Sequence, residues 1–372
     1  MDTSTELFQS NMNVLNMEST LIRVACLGVA ADTKQNILSA LNYIQIASEQ
    51  VHKLIPVIIA NLPDSWFSEL SESPARFLQL KRSSDLAMQL AHRAQIEEVA
   101  ALSAKHNFPL ILLKSSALNA NLYTVDAPRG CNDLDILANP NDWKRAQSVF
   151  SNTFTYTEKE QADVFGDLYE ESYKPKGPVG YPIDLHKSLC HPYLFDVDYQ
   201  HLWSTSSEHP FYNNSLIRTL SPEYQLIHLA IHGFSDMSFK TYALCDAYRL
   251  LTSPLFNKHT FTHLVKSSAV KVPTYHLLSN LFTVLPEIAD TTLLKKIKPN
   301  ALQLRISYWL LKKRNKLENG FKQKDFQFRL HQVFCMHVFT GEFFKPLALQ
   351  LLFIRMNLSQ MLNKNTKMRA AK

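Results

Sequence analysis

The strongest constraint on how this chain can fold is a change of hydrophobic period near residue 108. Before it, from about Asp32 to Asn107, apolar residues recur at helical spacing. Leu38, Leu41, Ile44 and Ile46 line one face, and Leu86, Leu90, Ile96, Val99 and Leu102 line another, with Pro63 and Pro74 as punctuation. Phe108-Pro109-Leu110-Ile111-Leu112-Leu113 is a short continuous apolar run, which predicts a buried strand. Lys114-Ser115-Ser116 ends it, and Ala117 to Tyr123 reads as a short helix capped by serine. Strands are predicted over Asp133–Ala138, Thr153–Glu158, Asp167–Tyr173 and Gly180–His186, with a helix from Asn139 to about Phe150. Ser221-Pro222-Glu223 has serine at the cap, proline first and an acid in the first turn, so a helix starts there. Helical spacing then continues to the C-terminus: Ile227, Ile231 and Phe234 share one face, and Leu244, Tyr248 and Leu251 another.

The expected fold class is α+β, a small mixed sheet flanked by N-terminal helices and a C-terminal helical domain. With 372 residues, the chain divides into an irregular N-terminus (1–31), a helical segment (32–107), an α/β core (108–220) and a helical domain (221–372). Only 8 glycines agree with a helix-rich chain.

Composition excludes several classes. Five scattered cysteines (Cys26, Cys131, Cys190, Cys245, Cys335) contain no CxxC pair, which rules out a zinc ribbon and fits a reducing cytoplasm. No leader pattern opens the chain. The longest apolar stretch, Pro346–Ile354, is cut short by Arg355, so no integral membrane association is expected. A net charge of +6 favours anionic ligands without the basic stripe that a long nucleic acid requires. The basic residues gather toward the C-terminus, at Lys295–Lys298, Lys312–Lys316 and from Lys364 onward, and are read as solvated faces. Walker and Gly-x-Ser-x-Gly loops are absent, which argues against P-loop and esterase chemistry.

Chemistry concentrates at Arg129-Gly130-Cys131-Asn132-Asp133-Leu134-Asp135. On a strand Asp133 and Asp135 share a face, while Leu134 and Ile136 point into the core. Two adjacent carboxylates repel unless a divalent cation joins them. Asp184 lies in the same setting, between Ile183 and Leu185. If its strand lies beside the first, three carboxylates converge into a site for two Mg²⁺ or Mn²⁺ ions, able to bind a triphosphate and activate a hydroxyl. Lys114, Ser115 and Ser116, at a strand-to-helix junction, suit phosphate, as does the planar donor Arg129. Lys114 reads equally as a strand-end surface lysine, and Arg129 as a structural partner of a carboxylate.

The ordered segments Lys114-Ser115-Ser116-Ala117-Leu118, Arg129 to Asp135, and Ile183-Asp184-Leu185-His186 resemble those of an uncharacterised bacterial nucleotidyltransferase family. That family belongs to the polymerase-beta-like nucleotidyltransferase superfamily. The stretch from Pro222 to Gly233 is similar as well, and the likeness spans roughly residues 80 to 255. It implies metal binding by Asp133, Asp135 and Asp184 and nucleotide contact by Ser115 and Ser116, with Lys114 and Arg129 as looser transfers. It also implies transfer of a nucleoside monophosphate from a nucleoside triphosphate to an acceptor hydroxyl. A small molecule, peptide or protein acceptor is favoured over nucleic acid. One position departs from the family pattern: Ser115 stands where a glycine is usual. Two alternatives stay open, transfer of another phosphoryl unit to a peptide or antibiotic, and a non-catalytic nucleotide sensor or scaffold.

Other polar residues receive structural readings. His186 is read as a structural histidine at a strand end. Cys190 and His191 match no zinc spacing. His228 and His232 lie on one helix face but lack the intervening glutamate of a zinc protease, so packing or capping is expected. Asp236 and Asp246 are read as surface carboxylates, although the resemblance would also allow them to line a cleft opposite the α/β unit.

Overall fold

The computed structural model describes residues 16–157, 169–177, 180–190, 194–212, 214–235 and 240–318, and positions 338, 340 and 351. His191, Asp236, Cys335, the 346–354 stretch apart from residue 351, and the basic residues from Lys364 onward lie outside the described residues.

The N-terminal region contributes α1 (16–27), α2 (Lys34–Asn42), α3 (Glu49–His52), α4 (Ile55–Ala60) and α5 (Glu72–His106). Helix α1 falls inside the stretch expected to be irregular. It forms because Leu21, Ile22, Val24 and Ala25 bury one of its sides in the core. Helix α5 is 35 residues long, about 52 Å. Pro74 sits in its first turn, where a missing N–H costs nothing, so this proline opens the helix. Asn107 ends it in the left-handed region at φ 52°, and its N–H bonds back to Ser103 and Ala104.

The middle region contributes β1 (Leu110–Leu112), α6 (Lys114–Asn121), β2 (Leu134–Ala138), α7 (Trp143–Thr153), β3 (Thr155–Tyr156), β4 (Glu170–Lys174), β5 (Ile183–His186), α8 (Tyr199–Thr205), β6 (Ser207–Glu208) and β7 (Ile217–Thr219). These strands form one mixed sheet in the order β3-β4-β5-β2-β1-β7-β6. Strand β2 is antiparallel to β1 and parallel to β5, and β7 runs parallel to β1. The short strands β6 and β7 were not anticipated from sequence. Helix α6 begins at Lys114, earlier than expected, and no serine side chain caps it; Ser115 and Ser116 occupy its first turn.

The C-terminal region contributes α9 (Pro222–Ser235), α10 (Thr241–Thr252), α11 (Lys258–Ser267), α12 (Lys271–Val284), α13 (Thr291–Ile297) and α14 (Ala301–Glu318). Helix α9 starts at Pro222, and the Tyr224 N–H reaches Ser221 Oγ at 3.5 Å, in keeping with the predicted start. Among the described residues, no helix is long and apolar enough to cross a membrane.

Alternation along the strands divides the apolar residues between two cores. Leu110, Leu112, Leu134, Ile136, Ile183 and Leu185 pack with Ile96 and Val99 of α5 and Phe150 of α7. Ile111, Leu113 and Leu137 join the other cluster, which runs from α1 through α9, α10 and α12. Because side-chain direction has a period of two, Asp135 shares a face with Leu137, the face covered by the terminal helices. Direct bonds tie those helices together: Arg23 of α1 donates to the Val284 carbonyl at 2.9 Å and to the Glu287 carboxylate.

Candidate active site

Pairing of β2 with β5 sets Asp135 directly beside Asp184. Asp133 precedes β2, and carboxylate oxygens of all three residues lie within 4.8 Å of one another. Asp135 is fully buried, whereas Asp133 and Asp184 are half-buried.

Asp135 is the electrostatic centre. Lys114 Nζ donates to its Oδ1 at 2.7 Å, and His186 Nε2–H donates to the same oxygen at 3.0 Å. Burial would raise this carboxyl's pKa, but the Lys114 charge and the His186 donor outweigh it and hold the group well below the usual carboxylate range. Burial likewise opposes the Lys114 charge, and Asp135 and Asp133 overcome it, keeping the ammonium protonated above the usual lysine range. Asp133 moves the other way, because burial and then the neighbouring Asp135 charge both push its pKa up. Asp135 Oδ2 is buried with no hydrogen-bond partner among the described residues. An unpaired charged oxygen in a low-dielectric site is costly, so this atom fits a cation ligand. Asp184 Oδ1 accepts from Ser172 Oγ at 2.6 Å across the β4–β5 pair.

Backbone strain coincides with the site. Lys114 has φ 47°, the left-handed region that side chains with a Cβ rarely adopt. Ser115, at the position where the resemblance leads one to expect glycine, is not among the positive-φ residues. It is buried. Ser116 is buried as well, with its Oγ 3.4 Å from His92 Nε2 and its carbonyl 3.4 Å from His209 Nε2.

Arg129 is committed elsewhere. Its Nε donates to Asp246 Oδ2 at 2.8 Å, and its guanidinium lies 4.3 Å from the centre of the Tyr242 ring. Asn119 clasps the main chain of Arg129 from both sides, each bond 2.9 Å. Asp246, expected at the surface, is fully buried, because Arg129 and the Tyr123 hydroxyl (2.6 Å) satisfy its carboxylate. The Asp246 charge raises the Arg129 pKa despite burial.

Several contributors lay outside the sequence prediction. His186 is a partner of the Asp135 carboxylate, and its Nδ1 stands 3.4 Å from Glu170 Oε2. His92 of α5 lies against the Asp133 backbone, and burial pushes its pKa down to about 4, which keeps the ring neutral. His228 is buried beside Lys114, and burial and then that charge push it down to about 3. Lys53 carries the loop itself: the Gly130 N–H donates to its carbonyl at 2.8 Å. A Cβ on Gly130 would stand 3.3 Å from Lys53 Cα, so glycine permits this close approach. A hydrophobic–Asp–hydrophobic pattern betrays the aspartates, but no local pattern marks a residue whose partner lies far along the chain.

A mixed sheet covered by helices, with three carboxylates and a lysine at one strand end, is the arrangement of a nucleotidyltransferase-like α+β protein. A family model described as uncharacterised nucleotidyltransferase matches residues 44–286, and the chain belongs to that family. The crystal structure of an antigenic nucleotidyltransferase-like protein from Paracoccidioides brasiliensis is similar at 16% identity and a TM-score of 0.34, covering 57% of this chain and 94% of that one. No curated protein matches the chain.

Proposed function

We propose that this nucleotidyltransferase moves a nucleoside monophosphate from a nucleoside triphosphate to an acceptor hydroxyl, with release of pyrophosphate. The observation that carries the reading is the convergence of Asp133, Asp135 and Asp184 from adjacent strands, with one buried carboxylate oxygen unpartnered among the described residues. Hard carboxylate oxygens suit Mg²⁺ or Mn²⁺, which these three residues would hold. When bound, such ions neutralise phosphate charge and lower the pKa of a coordinated hydroxyl.

The chain's own groups do the rest. Lys114 balances the Asp135 charge, and His186 fixes the orientation of that carboxylate. Asp184, half-buried and steadied by Ser172, takes the proton from the acceptor hydroxyl. Backbone N–H groups of Ser115 and Ser116 in the first turn of α6 offer donors to the phosphates. Arg129, paired with Asp246, acts by holding the loop that presents Asp133. The order of these elements supports placement in the polymerase-beta-like superfamily. The mild net charge of +6 favours a small molecule, peptide or protein as acceptor over a long nucleic acid.

The test is pyrophosphate release from ATP, GTP, CTP and UTP with Mg²⁺ or Mn²⁺, with host metabolite extract as acceptor, comparing the wild type with Asp135→Asn. Metal-dependent release that disappears in the variant is expected. Triphosphate binding without release in either protein would replace catalysis by a sensing role. Absence of both binding and release would remove the site assignment.

A further inference from the structure

The carboxylate loop is approached by a second lysine, on a different part of the chain from Lys114. Lys53 follows α3, and its carbonyl receives the Gly130 N–H at 2.8 Å, so its main chain is fixed against the loop between Arg129 and Asp133. Its side chain is half-buried, and its ammonium stands 5.2 Å from the centre of the Tyr242 ring. The guanidinium of Arg129 lies against that same ring at 4.3 Å. Lys240, just before α10, adds a third positive charge nearby.

Lys53 and Arg129, set against one ring, repel each other. Arg129 is compensated by Asp246 at 2.8 Å, and Lys114 by Asp135 at 2.7 Å. Lys53, by contrast, takes part in no ion pair among the described residues. Burial and then the Arg129 charge lower its pKa, and Asp133 offsets this only in part. A half-buried ammonium held among like charges, next to a carboxylate site, is a position prepared for an incoming anion. The loop itself touches the ammonium: in the orientation that satisfies both ends of its amide, the Asn132 oxygen accepts from Lys53 Nζ at 3.2 Å, next in sequence to Asp133.

We propose that Lys53 is a phosphate-contacting residue that takes the pyrophosphate portion of the bound nucleoside triphosphate. This rests on the nucleotidyl-transfer reading above and adds to it a residue from the N-terminal helices, outside the α/β unit. Because the Lys53–Gly130 bond is made by the main chain, changing the side chain removes the charge and leaves the loop support in place.

The experiment compares the full-length wild type with Lys53→Met and Lys53→Arg, with Lys53→Gln in reserve should methionine disturb folding. Each is titrated, in the presence of Mg²⁺, with ATP, GTP, CTP and UTP, with the matching monophosphates, and with inorganic pyrophosphate as competitor. Lys53→Met is expected to weaken triphosphate binding roughly 10- to 100-fold, the usual cost of losing a charge-assisted hydrogen bond. Pyrophosphate should lose potency in parallel, monophosphate affinity and melting temperature should hold, and Lys53→Arg should recover most of the loss. Unchanged triphosphate affinity in Lys53→Met, or an equal loss for triphosphate and monophosphate, overturns the assignment while leaving nucleotidyl transfer intact. A wild type that binds no triphosphate overturns both.

Discussion

Replacing Asp246 with alanine strands a guanidinium inside the protein. Arg129 and Asp246 have side-chain exposures of 5% and 0% and meet at 2.8 Å. With an effective dielectric near 20, unit charges centred about 4 Å apart attract by about 4 kcal/mol, which offsets much of the cost of taking both charges out of water. The Gly130 carbonyl (3.1 Å) and the Tyr242 ring stay with Arg129 in the variant, but neither is an anion. The expected loss is therefore about 3–5 kcal/mol, the range for breaking a buried pair from one side. An exposed pair such as Lys258–Asp290 is worth about 0–1 kcal/mol. The double variant Arg129→Met/Asp246→Leu removes both charges and leaves two neutral groups short of a partner, the Tyr123 hydroxyl and the Gly130 carbonyl, at a cost of about 1–3 kcal/mol. It should thus be more stable than Asp246→Ala alone. Urea denaturation followed by tryptophan fluorescence and circular dichroism measures all three proteins. If Asp246→Ala lies within about 1 kcal/mol of the wild type, or the double variant is less stable than Asp246→Ala, the pair does not hold the carboxylate loop.

Two further outcomes follow from the same electrostatics. Lys114→Met leaves Asp135 as a buried carboxylate without its cation, so stability in metal-free buffer should fall by about 3–5 kcal/mol; added Mg²⁺ should raise the melting temperature of the variant more than that of the wild type, and equal Mg²⁺ shifts would refute metal binding at Asp135. Asp290 caps α13 by accepting from the Leu293 N–H at 2.8 Å, so Asp290→Ala should cost about 1 kcal/mol. The Lys258 bond and then the Leu293 N–H lower the Asp290 pKa; the stabilisation is therefore complete above the unfolded value of about 3.9 and lost as pH falls through the lower folded value, and a gap between the two proteins that persists in strong acid would contradict the cap.

What could be read from the sequence follows the range of the interactions involved. The strands bearing Asp135 and Asp184 were legible because a charged residue between two buried apolar ones alternates with a period of two, a signal carried within each strand's own residues. Strand β7 was not, because Ile217-Arg218-Thr219 is three residues long and is strand only by virtue of pairing with β1 about a hundred residues earlier. Helix α1 was obscured by the polar residues at the start of the chain, although Leu21, Ile22, Val24 and Ala25 carry its buried side. His186 looked like a structural histidine since its partner, Asp135, lies 51 residues away, and Asp246 looked exposed since Arg129 lies 117 residues away.

The same distances explain why the active-site loop depends on more than the sheet. Between Arg129 and Asp133 the chain lacks regular structure, so its position must be set by what it touches. Asn119 of α6 clasps the Arg129 main chain, Lys53 of the N-terminal region receives the Gly130 N–H, and Asp246 of α10 holds the Arg129 guanidinium. Three regions of the chain therefore converge on five residues. Isolated from its flanks, the α/β unit would lose the Lys53 and Asp246 contacts together. It would also expose Leu113 and Leu137 of the core that it shares with the terminal helices. The aspartates would then keep their sheet register while Asp133, the only one of the three outside a strand, lost its fixed position. The carboxylate cluster is in this sense a product of the whole fold, which is why both helical flanks, and not the sheet alone, bear on whatever chemistry it performs.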